Sequence, residues 1–176
     1  MSAQQTVRPG PGEHAPFYAG YVAKVPDGHV VTTLVQGAED AARLLGGLPE
    51  SIASFRYAPD KWTLREVVQH CTDAERIFAC RALRIGRGDT TELPGWDEQA
   101  YAPMSGANDR TIHSLTAELI SVREASVALF EGLPDDAWPR RGRANGQDVT
   151  VRAIAWITAG HLLHHLDIVR ERYLNG

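Results

Sequence analysis

Cysteine is scarce in this sequence, and long apolar runs are absent. Cys71 and Cys80 are the only cysteines among 176 residues, and their spacing is not that of a CxxC motif. Neither a disulfide framework nor a thiolate zinc site is therefore predicted, and we expect two free thiols in a reducing compartment. No run of 18 apolar residues occurs, and the first dozen residues lack the apolar core of a signal peptide. We expect a cytoplasmic protein with no membrane partner.

Lysine is also rare. Lys24 and Lys61 are the only lysines among 18 basic residues, and the net charge is −4. The one basic cluster, Arg140, Arg141 and Arg143, lies in a stretch that also contains proline and glycine. Such a stretch is typical of a solvated loop and not of a phosphate-binding face, so we expect no nucleic-acid partner.

Four stretches carry apolar residues at helical spacing. Thr63 followed by Glu66 forms a capping-box signature at the start of the second stretch. No stretch shows a convincing strand pattern, and the glycine- and arginine-rich stretch before the fourth helix is expected to be a loop. We predict an all-α four-helix bundle, and the predicted helices cover residues 27–45, 63–86, 110–131 and 150–174.

Two segments fall outside these helices. Residues 1–16 are rich in proline and glycine, which predicts a flexible, irregular N-terminal arm, with a single bundle domain over residues 17–176. The aromatic residues Phe17, Tyr18 and Tyr21 are expected to pack on that domain. Residues 87–108 form an unusually long connection between the second and third helices, and connections of this length are often functional.

The most informative motif is a pair of histidines, His161 and His165, in the fourth predicted helix. Residues four apart lie about 40° apart around a helix, so both imidazoles can reach one metal ion at roughly 2.0–2.1 Å. The same projection places them on the isoleucine-rich face and places His164 at the polar flank. The motif is not the HExxH of metalloproteases, because Leu162 occupies the position of the glutamate.

A third ligand is expected at His70, at the edge of an apolar stripe in the second helix. Three protein ligands with an open fourth position are typical of a catalytic site; the alternative is that all three histidines are ordinary core residues. Asp73 is a candidate to orient the His70 ring, or a solvated helix residue. Asp97 and Tyr101, in the long connection, are candidates to cover the pocket, or to pack on the surface.

These motifs together resemble the DinB-like superfamily, and in particular its YfiT-type branch. The resemblance rests on residues 58–67 (APDKWTLREV) followed by His70, on residues 93–97 (LPGWD), and on the histidine pair preceded by Gly160. It extends over residues 17–174. It implies a four-helix bundle, usually a homodimer, with a divalent metal held by three residues: His70, His161 and His165.

The resemblance implies two kinds of activity on a small-molecule substrate. Some members of the family resemble metal-dependent transferases that use low-molecular-weight thiols such as bacillithiol, mycothiol or glutathione, and others resemble hydrolases. We rank thiol S-transfer first, because no glutamate adjoins His161 to act as a hydrolytic base. Zinc or nickel is the expected metal, and iron and manganese also accept imidazole. A non-catalytic metal-binding or ligand-binding dimer is the remaining alternative. The family name refers to DNA-damage induction, which concerns expression in a stress response.

Overall fold

The computed structural model describes residues 3–174, so residues 1–2 of the expected arm and residues 175–176 of the expected domain lie outside the described residues. Short 3-10 turns cover Ala3–Thr6, Pro11–Glu13, Pro16–Tyr18, Ala107–Asp109 and Asp135–Ala137. Two strands are present, β1 (Arg141–Ala144) and β2 (Gln147–Thr150). The helices are α1 (Ala19–Lys24), α2 (Val30–Leu45), α3 (Glu50–Ala53), α4 (Leu64–Gly86), α5 (Glu98–Met104), α6 (Ile112–Glu131) and α7 (Val151–Ile168), and α7 continues as a π-helical segment over Val169–Leu174.

The four long helices α2, α4, α6 and α7 form the bundle, which confirms the predicted fold class. Both α2 and α4 pack against α6 and against α7, so α2 and α4 occupy opposite corners. The chain therefore crosses the bundle diagonally between α2 and α4 and again between α6 and α7. This connectivity makes α4 and α7 direct neighbours, although 64 residues separate the end of one from the start of the other.

The start of α4 is set by local hydrogen bonds that the sequence predicts. Thr63 Oγ1 accepts a hydrogen bond from the Glu66 backbone N–H at 3.1 Å, and Glu66 Oε2 accepts one from the Thr63 backbone N–H at 2.8 Å. The predicted capping box is thus confirmed, and both residues are buried. The Glu66 carboxylate also accepts a hydrogen bond from the Asn108 side chain at 3.0 Å, which ties the start of α4 to the end of the long connection.

The stretch before α7 is a β-hairpin, so the expectation of an irregular loop is wrong there. Strands β1 and β2 pair antiparallel, and Leu93 adds a short parallel bridge at Ala144. The turn between them is Asn145-Gly146, and both residues have positive φ, 52° and 71°. This geometry is typical of the tight turn that Asn-Gly favours. The strands are only four residues long and mostly polar or small, with two arginines in β1, so they lack the apolar alternation that identifies a strand in a sequence.

The N-terminal arm and the long connection both contact the body. Glu13 accepts hydrogen bonds from the Arg152 guanidinium at 2.8–2.9 Å and from the Thr150 hydroxyl at 2.8 Å. Glu13 therefore attaches the expected flexible arm to the start of α7. The predicted long connection between α4 and α6 is present, and it contains α5, whose first backbone N–H groups donate to the Asp97 carboxylate.

The hydrophobic core consists of two clusters along the bundle. One cluster surrounds Trp138 and Trp156 near the hairpin, and the other surrounds Leu115 and Leu162 towards the opposite end. On α7 the first cluster ends just before Gly160-His161 and the second begins just after it. Among residues 3–174, none of the helices combines the length and apolar character that a membrane-spanning segment needs.

Helix α1 crosses α7 at Gly160 without any clearance. A Cβ atom at Gly160 would lie 1.9 Å from the Tyr21 carbonyl oxygen and 2.5 Å from the Tyr21 carbonyl carbon. Only glycine permits this contact, because the opposing atoms belong to backbone and cannot rotate away. The residue before His161 is therefore glycine for a packing reason.

Replacing Gly160 with alanine is expected to lower the free energy of unfolding by about 1–3 kcal/mol, because the added methyl group forces α1 away from α7. Urea denaturation followed by circular dichroism measures this change. Gly20→Ala is the matched control in α1, since no atom lies within 4 Å of its Cβ position; it should be neutral or stabilising by up to about 1 kcal/mol. Equal stability of Gly160→Ala and the wild type would contradict the close crossing.

Candidate metal centre

Three histidines from two helices converge between the core clusters. His70 comes from α4, and His161 and His165 come from successive turns of α7. One ring nitrogen from each lies within 4.8 Å of the others, and the Nε2 atoms of His70 and His161 are 3.0 Å apart. All three side chains are buried. The structure thus brings together the three residues that the sequence analysis selected.

The geometry fits a divalent metal ion. Two nitrogens bound tetrahedrally at about 2.0–2.1 Å from zinc lie roughly 3.3 Å apart, close to the separation of the His70 and His161 Nε2 atoms. In addition, the Nδ1 atom of His165 is buried and has no hydrogen-bond partner within residues 3–174. Buried polar atoms normally have a partner, and neutral imidazoles are good ligands for zinc and nickel. The donor set therefore matches the expected ion.

Burial keeps these imidazoles neutral at physiological pH. Removal from water lowers the pKa of His70 to about 4. It lowers the pKa values of His161 and His165 well below the ordinary value, and repulsion from the other histidines adds to this effect. A protonated imidazole has no lone pair for a metal. Each of the three neutral imidazoles thus keeps one nitrogen lone pair that can bind a metal ion at pH 7.

Aromatic rings enclose the histidine cluster. Trp96, from the long connection, stacks on His70 with ring centroids 5.6 Å apart and an interplanar angle of 18°. Trp62 contacts the same imidazole at 4.8 Å, and Tyr21 and Phe78 approach His161 edge-on at 5.3 and 5.7 Å. No sequence pattern points to Trp62 or Trp96 as site residues, although both lie in the motifs that carry the family resemblance.

The other candidate residues lie outside the cluster. Asp73 accepts a hydrogen bond from the Gln69 side chain at 2.9 Å and has no bond to His70. Asp97 caps α5, and Tyr101 is half exposed, with its ring 5.2 Å from that of Trp96. Tyr101 therefore meets the site only through Trp96. His164 is partly exposed beside His165, at the flank where the helical projection places it.

Comparison with known proteins identifies the family. The model of the DinB superfamily matches residues 33–169. The chain belongs to this superfamily. Among solved structures it is similar to YfiT from Bacillus subtilis, with a TM-score of 0.74, 17% sequence identity, and coverage of 96% of this chain and 93% of that chain. YfiT is described as a probable metal-dependent hydrolase with an unusual four-helix bundle topology. No curated protein matches this chain.

In this member of the DinB superfamily, a cavity of about 200 Å³ adjoins the histidine cluster. His165 and Trp62 both form part of its wall, and the Trp62 ring also packs against the His70 imidazole. The two cysteines are free, as predicted, and neither belongs to the cluster. Cys71 is buried on α4, and its burial raises the thiol pKa far above the ordinary value. Cys71 is thus a core residue and not a nucleophile.

Proposed function

We propose that the chain is a divalent-metal-dependent enzyme that acts on a small molecule. The observation that carries the proposal is the convergence of three neutral, buried imidazoles beside a cavity. Three protein ligands leave a coordination position for substrate, as in catalytic zinc sites. The description of YfiT as a probable metal-dependent hydrolase supports the same class of function. The expected homodimer is also a proposal, which sedimentation equilibrium would test.

For the reaction, we propose S-transfer, in which a low-molecular-weight thiol attacks a small electrophile through its sulfur. A divalent ion held by His70, His161 and His165, zinc or nickel by preference, would lower the pKa of a bound thiol or water. Within residues 3–174 the ligand cluster contains histidines alone, and the carboxylates of Asp73 and Asp97 are bonded elsewhere. Trp62 and Trp96 pack on the His70 ring, so its neighbours on that side are apolar rings that supply no general base for water.

Hydrolysis is the second candidate, and one carboxylate favours it. Asp60 lines the cavity and forms an ion pair with Lys61 at 2.9 Å. Its hydrogen bond with Lys61 lowers the pKa of the carboxyl group, so Asp60 is ionised at neutral pH but is a weak base, which keeps hydrolysis second. An ionised carboxylate near a bound water is the usual general base of a hydrolase. A non-catalytic binding dimer remains as the third alternative.

Turnover of small electrophiles is expected to require both the metal and an added thiol. The measurement uses zinc-loaded and metal-free protein with aryl halides, unsaturated carbonyl compounds and esters, each with and without bacillithiol or glutathione. Removing the metal should lower the rate about 100-fold or more, because the loss of charge stabilisation is worth several kcal/mol.

Two other outcomes of this assay would assign a different function. Metal-dependent turnover of the esters that needs no thiol would identify a hydrolase. Stoichiometric metal without any metal-dependent turnover would favour the binding protein. His164→Ala serves as the control variant, since its ring lies beside the cluster but outside it, and it should retain the wild-type dependence on metal.

A further inference from the structure

Three aromatic side chains line the cavity at His165, together with the aliphatic side chains of Val67 and Ile168. We call the surface made by Tyr57, Trp62 and Tyr173 the aromatic slot. The Tyr173 hydroxyl donates a hydrogen bond to the Trp62 carbonyl oxygen at 2.7 Å, and the Tyr57 ring meets the Tyr173 ring edge-on at 5.2 Å. These contacts hold the slot in a defined shape. Its inner end is the imidazole of His165, one of the proposed metal ligands.

The rim of the slot is polar and carries no net charge. Asp60 and Lys61 pair with each other at 2.9 Å, and Gln99 reaches the rim from α5. The volume of about 200 Å³ is smaller than the roughly 300–1,000 Å³ of pockets for drug-sized ligands. The slot therefore matches a compact, flat, apolar group with a hydrogen-bonding end, and most of a peptide-sized thiol would remain outside it.

We propose that the aromatic slot binds the ring of a small aryl substrate and directs its carbonyl or acid group to the metal centre. This inference rests on the proposed metal-dependent function and adds the class of substrate. Edge-to-face and stacked contacts with Tyr57, Trp62 and Tyr173 recognise the ring. A carbonyl or acid oxygen on that ring then faces His165. The long connection contributes by placing Gln99 of α5 at the outer end of the slot.

Two hydroxamates test the proposal by binding alone. Acetohydroxamate and benzohydroxamate present the same metal-chelating group, and only the second carries a ring. Isothermal titration of zinc-loaded protein should show about tenfold tighter binding of benzohydroxamate, since several aromatic contacts are gained. In Tyr57→Ala this preference should fall to about threefold or less, while the affinity for acetohydroxamate stays unchanged.

Phe55→Ala is the matched control. Phe55 and Tyr57 are each 39% exposed and both rings contact Tyr173, but Phe55 does not line the slot. This variant should keep the full preference for benzohydroxamate. Equal affinities of the wild type for the two probes, or an equal loss of preference in both variants, would refute the proposal that the aromatic slot binds an aryl ring. Neither result would contradict the proposed metal site. Zinc-loaded protein that binds neither probe would refute the open coordination position, and with it the proposed function.

Discussion

A protein in which His161 and His165 are both alanine is expected to lose stoichiometric zinc binding. Two of the three proposed ligands are then missing, and the remaining imidazole of His70 cannot hold the ion alone. Protein zinc sites bind the ion with a free energy of roughly 10 kcal/mol or more. If the three histidines contribute equally to this free energy, the double variant binds zinc at least about 10⁴-fold more weakly than the wild type. Elemental analysis after dialysis and titration against a chromogenic chelator measure the change.

His164→Ala is the control for this experiment, because it removes a neighbouring imidazole of the same helix that is not part of the cluster. It should retain one zinc per chain. Zinc should also raise the melting temperature of the wild type and of the control, since a ligand that binds only the native state stabilises it. An unchanged zinc content in the double variant would show that the three histidines are ordinary core residues.

Removal of Glu75 is expected to be the most destabilising conservative change in the bundle. Glu75 on α4 and Arg123 on α6 form an ion pair at 2.6 Å, and their side chains are only 3% and 1% exposed. Arg123 also donates a hydrogen bond to the Thr158 carbonyl oxygen of α7 at 3.3 Å, one turn before His161. The pair therefore links α6 to both helices that carry the proposed metal ligands. Glu75→Gln leaves a buried guanidinium without a counter-charge, which costs about 3–5 kcal/mol.

Denaturant unfolding of four proteins separates this effect from a general sensitivity to mutation. Asp40→Asn breaks the exposed pair with Arg43 and should change stability by less than about 1 kcal/mol. The double variant Glu75→Leu/Arg123→Met removes both buried charges and should recover most of the loss, because well-packed apolar residues often replace a buried pair at no cost. If the free energy of unfolding of Glu75→Gln lay within about 1 kcal/mol of the wild-type value, the expected cost of the unpaired buried charge would be contradicted.

The long helices could be predicted because their signals are local. The capping box at Thr63 and Glu66 marks the start of α4 within a single turn, and apolar spacing outlines α2, α6 and α7. The hairpin was missed although Asn145-Gly146 is a strong turn signal. Its strands are too short and too polar to show alternation, and they are stabilised by contacts with Leu93 that lie about 50 residues away in sequence.

The candidate site was predictable to a different degree for each of its parts. The histidine pair of α7 follows from helical periodicity, which also assigned His164 to the flank. His70 was selected from its position on an apolar stripe and from the family resemblance. Trp62 and Trp96 were not selected, since no spacing rule relates a residue before α4 or in a long connection to an imidazole of α4.

By itself, the sequence determined the four helices, the DinB resemblance and the geometry of His161 and His165, because these depend on hydrogen bonds and side-chain directions within a few residues. Only the tertiary structure decided that His70 meets this pair across 91 residues. It also decided which aromatic rings enclose the three imidazoles. The diagonal connections place α4 beside α7, and Gly160 lets Tyr21 of α1 approach the same turn. These contacts depend on how whole helices pack, and packing follows from the shapes of all four helices together.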